Sequence, residues 1–182
     1  MRIIGGQFRS RVLAEFAGDD VRPTSDRARE ALFNILSMKV ALARVLDLFS
    51  GSGALGLESL SRGAKEVWFN DYSKDSLQIL KKNLTALKIP VNGEQAKLSQ
   101  SDYLVCLDTA RGQFDLIFLD PPYRFDYGIK ALEKISQKGL LTENGIAVYE
   151  RDRPFEGEIA GLEKYDERKY GKTYLTFFRK GE

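Results

Sequence analysis

An acid, two prolines and an aromatic residue, Asp120–Tyr123, end an apolar run over Phe114–Leu119. Two consecutive prolines must stop a strand because neither has an N–H group to donate to a ladder. The motif therefore leaves a carboxylate, rigidly held carbonyl groups and an aromatic ring at the carboxyl end of a buried strand. Hydrogen-bond acceptors beside a flat ring suit the capture of a flat molecule that carries an amino group. A nucleobase is such a molecule.

A glycine-rich segment, Asp47–Gly56, also follows an apolar run and opens a helical pattern. Gly51, Gly53 and Gly56 have the G-x-G-x-x-G spacing, which permits a tight turn and lets a ligand approach the backbone closely. Asp71 ends the next strand about 20 residues further on, where its carboxylate can accept hydrogen bonds from both hydroxyls of a ribose. This pattern indicates a cofactor that contains a nucleoside.

The acid before the glycine loop bears on the identity of that cofactor. Asp47 would sit poorly beside a pyrophosphate, because like charges repel in a partly desolvated site. It suits a cation, and S-adenosylmethionine carries a sulfonium and an ammonium but no phosphate. Asp102 can accept a hydrogen bond from the adenine amino group, with Tyr103 beside the ring, although capping a helix explains Asp102 equally well. A dehydrogenase that binds NAD remains the alternative.

Composition excludes several other chemistries. The 182 residues are 43% hydrophobic and 30% charged, with a net charge of +2, which is typical of one globular domain. There is no histidine, so a triad or acid–base mechanism based on histidine within this chain is excluded. The single cysteine, Cys106, allows no intrachain disulfide, and a transition-metal site is not expected. No long apolar stretch predicts a signal peptide or membrane span, so we expect a cytoplasmic protein.

Strands and helices alternate along most of the chain, which predicts an α/β fold with a mostly parallel sheet and helices on both faces. A helix is expected after a cap at Thr24 or Ser25. The expected strands are 44–49, 66–70, 95–100, 114–119 and 145–150, and the expected helices between them are 55–61, 74–87, 102–108 and 127–137. Two further strands, 165–170 and 173–179, read as a terminal antiparallel hairpin. Residues 1–20 are expected to form a small hairpin arm that turns at residues 6–8. Residues 21–182 are expected to form the main domain.

The motifs occur in a recognisable order. Asp47–Gly56, Asp71, Asp102 and Asp120–Tyr123 resemble the cofactor and catalytic motifs of class I S-adenosylmethionine-dependent methyltransferases. That resemblance implies a Rossmann-like fold with a seven-stranded sheet and a C-terminal antiparallel hairpin. Asp/Asn-Pro-Pro-Tyr/Phe is the motif of the members that methylate exocyclic amino groups of bases.

A narrower resemblance covers nearly the whole chain. The residues at 1–6, 22–24, 27, 29–30, 33–34, 47–58, 61–64 and 170–173 are similar to those of the bacterial 16S rRNA guanine-N2 methyltransferases, the RsmD-like family. It implies methylation of a guanine in 16S rRNA or a small-subunit particle, without metal or membrane. The implied catalytic residues are Asp120, Pro121, Pro122 and Tyr123. The expected cofactor-binding residues are Asp47, Ser50, Gly51, Ser52, Gly53, Gly56, Asp71, Asp102 and Tyr103. Candidate substrate contacts are Arg9, Arg11, Arg22 and Thr24.

Two other readings stay open. The tetrapeptide at 120–123 fits methylation of adenine N6, or of another base amine in DNA or a different RNA, as well as guanine N2. A non-catalytic RNA-binding or ribosome-assembly protein that kept the fold is an alternative of another class. Arginines in the N-terminal arm and basic residues in the terminal hairpin are expected to contact phosphate beside the pocket.

Overall fold

The computed structural model describes residues 1–16, 26–122 and 126–181. Seven strands form one sheet in the order β3-β2-β1-β4-β5-β7-β6. The first five strands are parallel, whereas β7 runs antiparallel to both β5 and β6. The strands are β1 (Arg44–Asp47), β2 (Glu66–Asp71), β3 (Ala96–Gln100), β4 (Phe114–Leu119), β5 (Leu141–Arg151), β6 (Leu162–Tyr170) and β7 (Thr173–Lys180). The predicted seven-stranded α/β architecture is confirmed.

Five α-helices cover the two faces of the sheet. They are α1 (Asp26–Leu36), α2 (Ala54–Ser61), α3 (Lys74–Ala86), α4 (Tyr103–Thr109) and α5 (Tyr127–Gln137), and a 3-10 turn (Ser37–Lys39) follows α1. One buried cluster joins α1, α2 and α3 to the first face, and a second cluster joins α4 and α5 to the other. In β4, Leu116 and Phe118 enter the first cluster, while Ile117 and Leu119 enter the second. This alternation is the period of two that a strand buried on both faces requires.

Several strand limits differ from the sequence-based expectation: β1 ends at Asp47 rather than at residue 49, and two other strands begin earlier than expected. β5 begins at Leu141 rather than at residue 145, because Leu141 already pairs with Phe114 before a register shift leads to the Leu116–Ile146 pair. Residues 142–144 are polar, and this irregularity hides the start of the strand from any reading of apolar alternation. β6 begins at Leu162 rather than at residue 165, since backbone pairing with Lys180 continues through exposed polar residues.

The N-terminal residues form an arm that packs against the sheet domain. A single bridge joins Arg2 to Val12, so the predicted hairpin exists, although neither side is a regular strand. The chain reverses through residues 5–10, a wider turn than residues 6–8 alone. Ile3 and Leu13 are buried in the cluster that covers the first face. The arm is therefore part of the core, and the predicted boundary at residue 20 lies outside the described residues.

Residues 1–16, 26–122 and 126–181 lack two structural features. None of the helices there has the length and apolar character needed to cross a membrane. No cluster of three or more His, Cys, Asp or Glu side chains in those ranges is arranged to hold a metal ion.

Candidate active site

The expected cofactor and catalytic motifs meet at the carboxyl edge of the sheet. β1 lies between β2 and β4, with helices on opposite faces after β1 and β3, so the strand order reverses at β1 and β4. Ligands of open α/β sheets bind at such a switch point. Asp47 pairs in register with Phe118, two residues before Asp120. The two acids therefore lie on neighbouring strands, separated along the strand direction by roughly 7 Å.

The glycine loop is held at nearly every residue. The backbone N–H of Ser50 donates to the carbonyl of Asn70 at 2.9 Å, and that of Gly53 donates to the Ser50 carbonyl at 2.7 Å. The Gly51 N–H donates to Oδ2 of Asp71 at 2.8 Å. The Ser52 carbonyl accepts from Nδ2 of Asn83 at 3.0 Å. The loop is consequently rigid before any ligand arrives, which reduces the entropy that binding must overcome.

A different physical reason requires glycine at each of the three positions of the motif. Gly53 has φ +89° and a Cβ there would lie 2.4 Å from Leu80 Cδ1, while a Cβ on Gly56 would lie 2.1 Å from the Phe69 ring. These two allow α2 to pack closely on α3 and β2. Gly51 has φ +53°, and the space where its Cβ would project is open for 4 Å. Gly51 is thus the position where a ligand can approach the backbone.

Asp47 is a buried acid, 2% exposed, directly under the loop. Its Oδ2 accepts the backbone N–H of Gly56 at 2.9 Å. Burial raises the pKa of Asp47 to about 7, the charge of Asp71 adds to the rise, and the Gly56 hydrogen bond opposes it. A cation beside Asp47 would favour the charged carboxylate. This environment fits the ammonium group of S-adenosylmethionine.

Asp71 does more than the sequence indicates. Its two oxygens accept backbone N–H groups at 2.8 Å each, Oδ2 from Gly51 and Oδ1 from Ser73. Each carboxylate oxygen keeps a second lone pair, so the predicted bonds to ribose hydroxyls remain available. Asp71 therefore shapes the glycine loop and the turn into α3 as well as standing where a ribose is expected.

The residues after β3 cap a helix and fill an aromatic stack. Asp102 is the N-cap of α4, and its side chain accepts the Leu104 N–H at 2.8 Å. Tyr103 is 7% exposed, and its ring lies 5.3 Å from Phe49 and 5.1 Å from Tyr127. Burial chiefly raises the pKa of Tyr103, with additional contributions from Asp102 and Tyr127. This stack connects the glycine loop to the start of α5. The capping role of Asp102 is confirmed, and adenine contacts by both residues stay predictions.

The acceptor motif occupies the end of β4. Asp120 is half-buried, Pro121 is buried and Pro122 is exposed. On the next strand, Tyr149 pairs with Leu119 and is 4% exposed. Gly128 at the start of α5 packs against the Tyr149 ring so closely that a Cβ would lie 2.2 Å from it. Asp120 therefore sits on a tightly packed edge. Tyr123 lies outside the described residues.

Two of the candidate RNA contacts, Arg9 and Arg11, lie on the turn of the N-terminal arm. Arg9 and Arg11 are exposed. The turn that carries them lies against the last residues of α2, where the Gln7 N–H donates to the Ser61 carbonyl at 2.8 Å. α2 has 8 residues, so this turn is roughly 12 Å from the glycine loop. These arginines therefore lie about one helix length from the glycine loop, and their contact with RNA phosphate stays a prediction. Arg22 and Thr24 lie outside the described residues.

The terminal hairpin is less basic than its sequence suggests. Arg168 pairs with Asp166 at 3.0 Å, and Arg179 pairs with Glu163 at 2.8 Å. Lys180 lies 3.4 Å from Glu143. These three cations have acidic partners, which reduces the charge that they offer to phosphate groups.

Comparison with known proteins shows the family of the chain. The family model described as "Conserved hypothetical protein 95" matches residues 1–179. The chain is 39% identical to ribosomal RNA small subunit methyltransferase D of Haemophilus influenzae over 85% of this chain and 81% of that protein. The chain belongs to the RsmD family. It is also 34% identical to YlbH of Bacillus subtilis over 99% of both chains. The solved structure of yhhF from Escherichia coli has a TM-score of 0.86 and 32% identity, covering 99% of this chain and 97% of that one.

In this RsmD family member, sequence reasoning missed two buried polar residues that hold the arm. Glu58 is fully buried, and its oxygens accept the backbone N–H groups of Ile4 at 2.8 Å and Gly5 at 2.9 Å. Asn83 is 1% exposed and bonds both backbone groups of Ala14. The available signal was an acid inside the apolar helix α2 and an amide on the apolar face of α3, which break the local pattern.

The docking of the arm also explains its paired glycines. A Cβ on Gly6, where φ is +76°, would lie 1.8 Å from the Ser61 carbonyl oxygen. A Cβ on Gly5 would lie 2.6 Å from the Arg62 guanidinium. Only residues without side chains allow the arm to lie this close to α2.

Proposed function

We propose that the chain transfers a methyl group from S-adenosylmethionine to the N2 amino group of a guanine in 16S rRNA. The observation that carries the proposal is the placement of Asp47 and Asp120 on adjacent strands at one edge of the sheet. A site for a cationic nucleoside cofactor and an acceptor for an amino group would thus lie side by side at this edge. Membership of the RsmD family supports rRNA as the methylated substrate.

The residues present fit the cofactor. Ser50 Oγ is buried and has no hydrogen-bond partner among the described residues, so a polar ligand group can satisfy it. Gly51 leaves open space beside its backbone, and Asp47 is an acid that a cation would stabilise. Asp71 would hold the ribose. When bound, S-adenosylmethionine supplies a methyl group made electrophilic by the adjacent sulfonium.

Asp120 and the carbonyl of Pro121 would hold the acceptor amino group. Guanine N2 is a weak nucleophile because its lone pair is delocalised into the ring. An acceptor that binds one N–H group favours a more pyramidal nitrogen with a more available lone pair. Positive charge grows on nitrogen as the new N–C bond forms, and a preorganised carboxylate stabilises that charge most in the transition state. The surplus proton then leaves to Asp120 or to water.

Binding and alignment account for the rest of the rate. Methyl transfer is an in-line displacement, and correct positioning of two reactants can lower a barrier by about 7–11 kcal/mol in favourable cases. The rigid glycine loop and the packed end of β4 are suited to such positioning. Tyr123 would stack on the target base and hold it out of its helix.

The test is a labelled-methyl transfer assay on small ribosomal subunits from cells that lack this protein. The native chain should transfer label to 16S rRNA, and the Asp120→Ala variant, which removes the acceptor, should lose at least about a hundredfold in rate. Nucleoside analysis of the product should give N2-methylguanosine. N6-methyladenosine would instead support the alternative substrate, and absence of label with every RNA offered would support a non-catalytic binding protein.

A further inference from the structure

Asn83 of α3 makes hydrogen bonds to two separate parts of the chain. Its Oδ1 accepts the Ala14 N–H at 2.7 Å, and its Nδ2 donates to the Ala14 carbonyl at 3.1 Å. The same Nδ2 donates to the carbonyl of Ser52 at 3.0 Å. One buried amide therefore joins the return side of the N-terminal arm to the glycine loop.

The position of Asn83 suits this role. Leu80 lies one helical turn earlier on the same face of α3 and contacts Gly53, the residue after Ser52. Asn83 itself is 1% exposed, so neither of its partners can be replaced by water without opening the structure. If Ala14 moved away, one oxygen and one N–H of the amide would lose their partners, and the side chain would no longer be held against Ser52.

The other end of the arm is anchored by different residues. Glu58 and Ser61 of α2 bind the arm near its turn: Glu58 accepts N–H groups of Ile4 and Gly5, and Ser61 Oγ accepts that of Phe8 at 3.0 Å. The arm is thus held both at α2, which follows the glycine loop, and at α3, which contacts that loop. Movement of its exposed turn, where Arg9 and Arg11 lie, can therefore displace Ala14.

We infer that Asn83 is a positioning residue that couples docking of the arm to cofactor binding. Correct docking of Ala14 holds the amide against Ser52 and keeps the glycine loop in its binding shape. By linkage, cofactor binding stabilises the docked arm by the same factor, and RNA that binds the docked arm tightens cofactor binding. The RNA clause rests on the proposed function; the coupling of arm and cofactor needs only that the loop binds S-adenosylmethionine or its product.

A double-mutant cycle on affinity for S-adenosylhomocysteine tests this coupling. Gly6→Ala should undock the arm because its Cβ would collide with the Ser61 carbonyl. In the native background it should weaken binding about tenfold, as a coupling of ordinary size does. Asn83→Ala should weaken binding by a similar factor, and adding Gly6→Ala should then change it less than about twofold. Thr85→Ala, an exposed change on the same helix, is the matched control and should have no effect.

Kinetics separate positioning from a general loss of folding. Asn83→Ala should raise KM for S-adenosylmethionine about tenfold and leave kcat nearly unchanged, because the loop and not the acceptor site is altered. A merely structural role would reduce the fraction of folded enzyme and leave KM unchanged. An equal effect of Gly6→Ala in both backgrounds would mean that coupling runs through α2, and would overturn the inference.

A measurement on the native chain covers the case in which the variants do not fold. Saturating S-adenosylhomocysteine should slow hydrogen exchange of the Ala14 amide at least about fivefold. The Gly181 amide, bonded to Gly161 in another part of the molecule, should not respond. An unchanged Ala14 rate with bound ligand would refute the coupling alone. Failure of the native chain to bind the ligand at all would refute the proposed function.

Discussion

The buried carboxylate of Asp47 accepts the backbone N–H of Gly56 at 2.9 Å, which ties the end of β1 to the first turn of α2 and closes the glycine loop between them. The acid is fully enclosed by the fold, and its burial raises its pKa to about 7. A group placed in this way is sensitive both to pH and to a bound cation.

Cofactor affinity should depend on pH near neutrality. Below about pH 7 the unliganded protein carries a neutral Asp47, and binding an ammonium group to the carboxylate then requires loss of a proton. The dissociation constant for S-adenosylhomocysteine should therefore rise as pH falls from 7.5 to 5.5, by up to about tenfold per unit. Calorimetric titrations of the native chain and of Asp47→Asn should show this dependence only in the native chain. Asp75→Asn, an exposed acid at the start of α3, should retain it.

The same acid should lower the free energy of unfolding of the unliganded protein above neutral pH. A carboxyl group whose folded pKa lies above its ordinary value of 3.8 stabilises the fold fully below that value, and the contribution is lost as pH rises through about 7. At pH 8 the free energy of unfolding of Asp47→Asn should therefore exceed that of the native chain by roughly 2–4 kcal/mol. The difference should shrink towards pH 4. Urea denaturation at the two pH values measures this. A variant less stable than the native chain at pH 8 would contradict it.

Alanine substitutions in the glycine loop should separate folding from binding. Gly56→Ala would collide with Phe69 and should lower the free energy of unfolding by about 1–3 kcal/mol. Gly51→Ala meets no protein atom and carries only the strain of a positive φ, about 1–2 kcal/mol. Gly51→Ala should nevertheless lose most affinity for S-adenosylhomocysteine, since its Cβ would occupy the open space. Thermal unfolding with and without ligand distinguishes the two, and equal ligand-induced stabilisation of native and Gly51→Ala chains would place the cofactor elsewhere.

Removal of the Glu58 carboxylate should release the arm. Glu58→Ala leaves the N–H groups of Ile4 and Gly5 without their acceptor and leaves Arg62 without its ion-pair partner. Breaking such a buried group typically costs about 3–5 kcal/mol. Hydrogen exchange should accelerate at Ile4 and Gly5 well before it changes in β7. Glu133→Gln, an exposed change in α5, serves as the control, and protected arm amides in Glu58→Ala would show that other contacts hold the arm.

The exposed arginines of the arm should affect RNA binding through salt. If Arg9 and Arg11 contact phosphates, their joint replacement by alanine should make the negative slope of log affinity against log salt shallower by about 1–2. Binding to 16S rRNA measured between 50 and 200 mM salt reports this slope. Arg111→Ala changes an exposed arginine in the loop between α4 and β4 and should leave the slope unchanged. An unaltered slope in the double variant would show that the arm does not touch phosphate.

Most of the fold is readable from local patterns. The alternating elements, the paired prolines after β4 and the glycine loop after β1 all predict their positions because strand ends and tight turns are governed by neighbouring residues. Prediction of the strand limits fails where pairing continues through polar residues, as at the start of β5. The hydrogen-bond ladder uses backbone groups and does not require apolar side chains.

The sequence by itself determined the order of the motifs, the family and therefore the chemistry that the cleft is expected to perform. Tertiary structure alone decided how the arm is used. Ile4 reaches Glu58 across 54 residues and Ala14 reaches Asn83 across 69, and no local spacing rule connects such positions. It also decided that Asp47 is buried and that the arm's arginines lie a helix length from the pocket. Burial and long-range hydrogen bonds depend on which surfaces the whole chain brings together, so they appear only once the sheet and its helices are assembled.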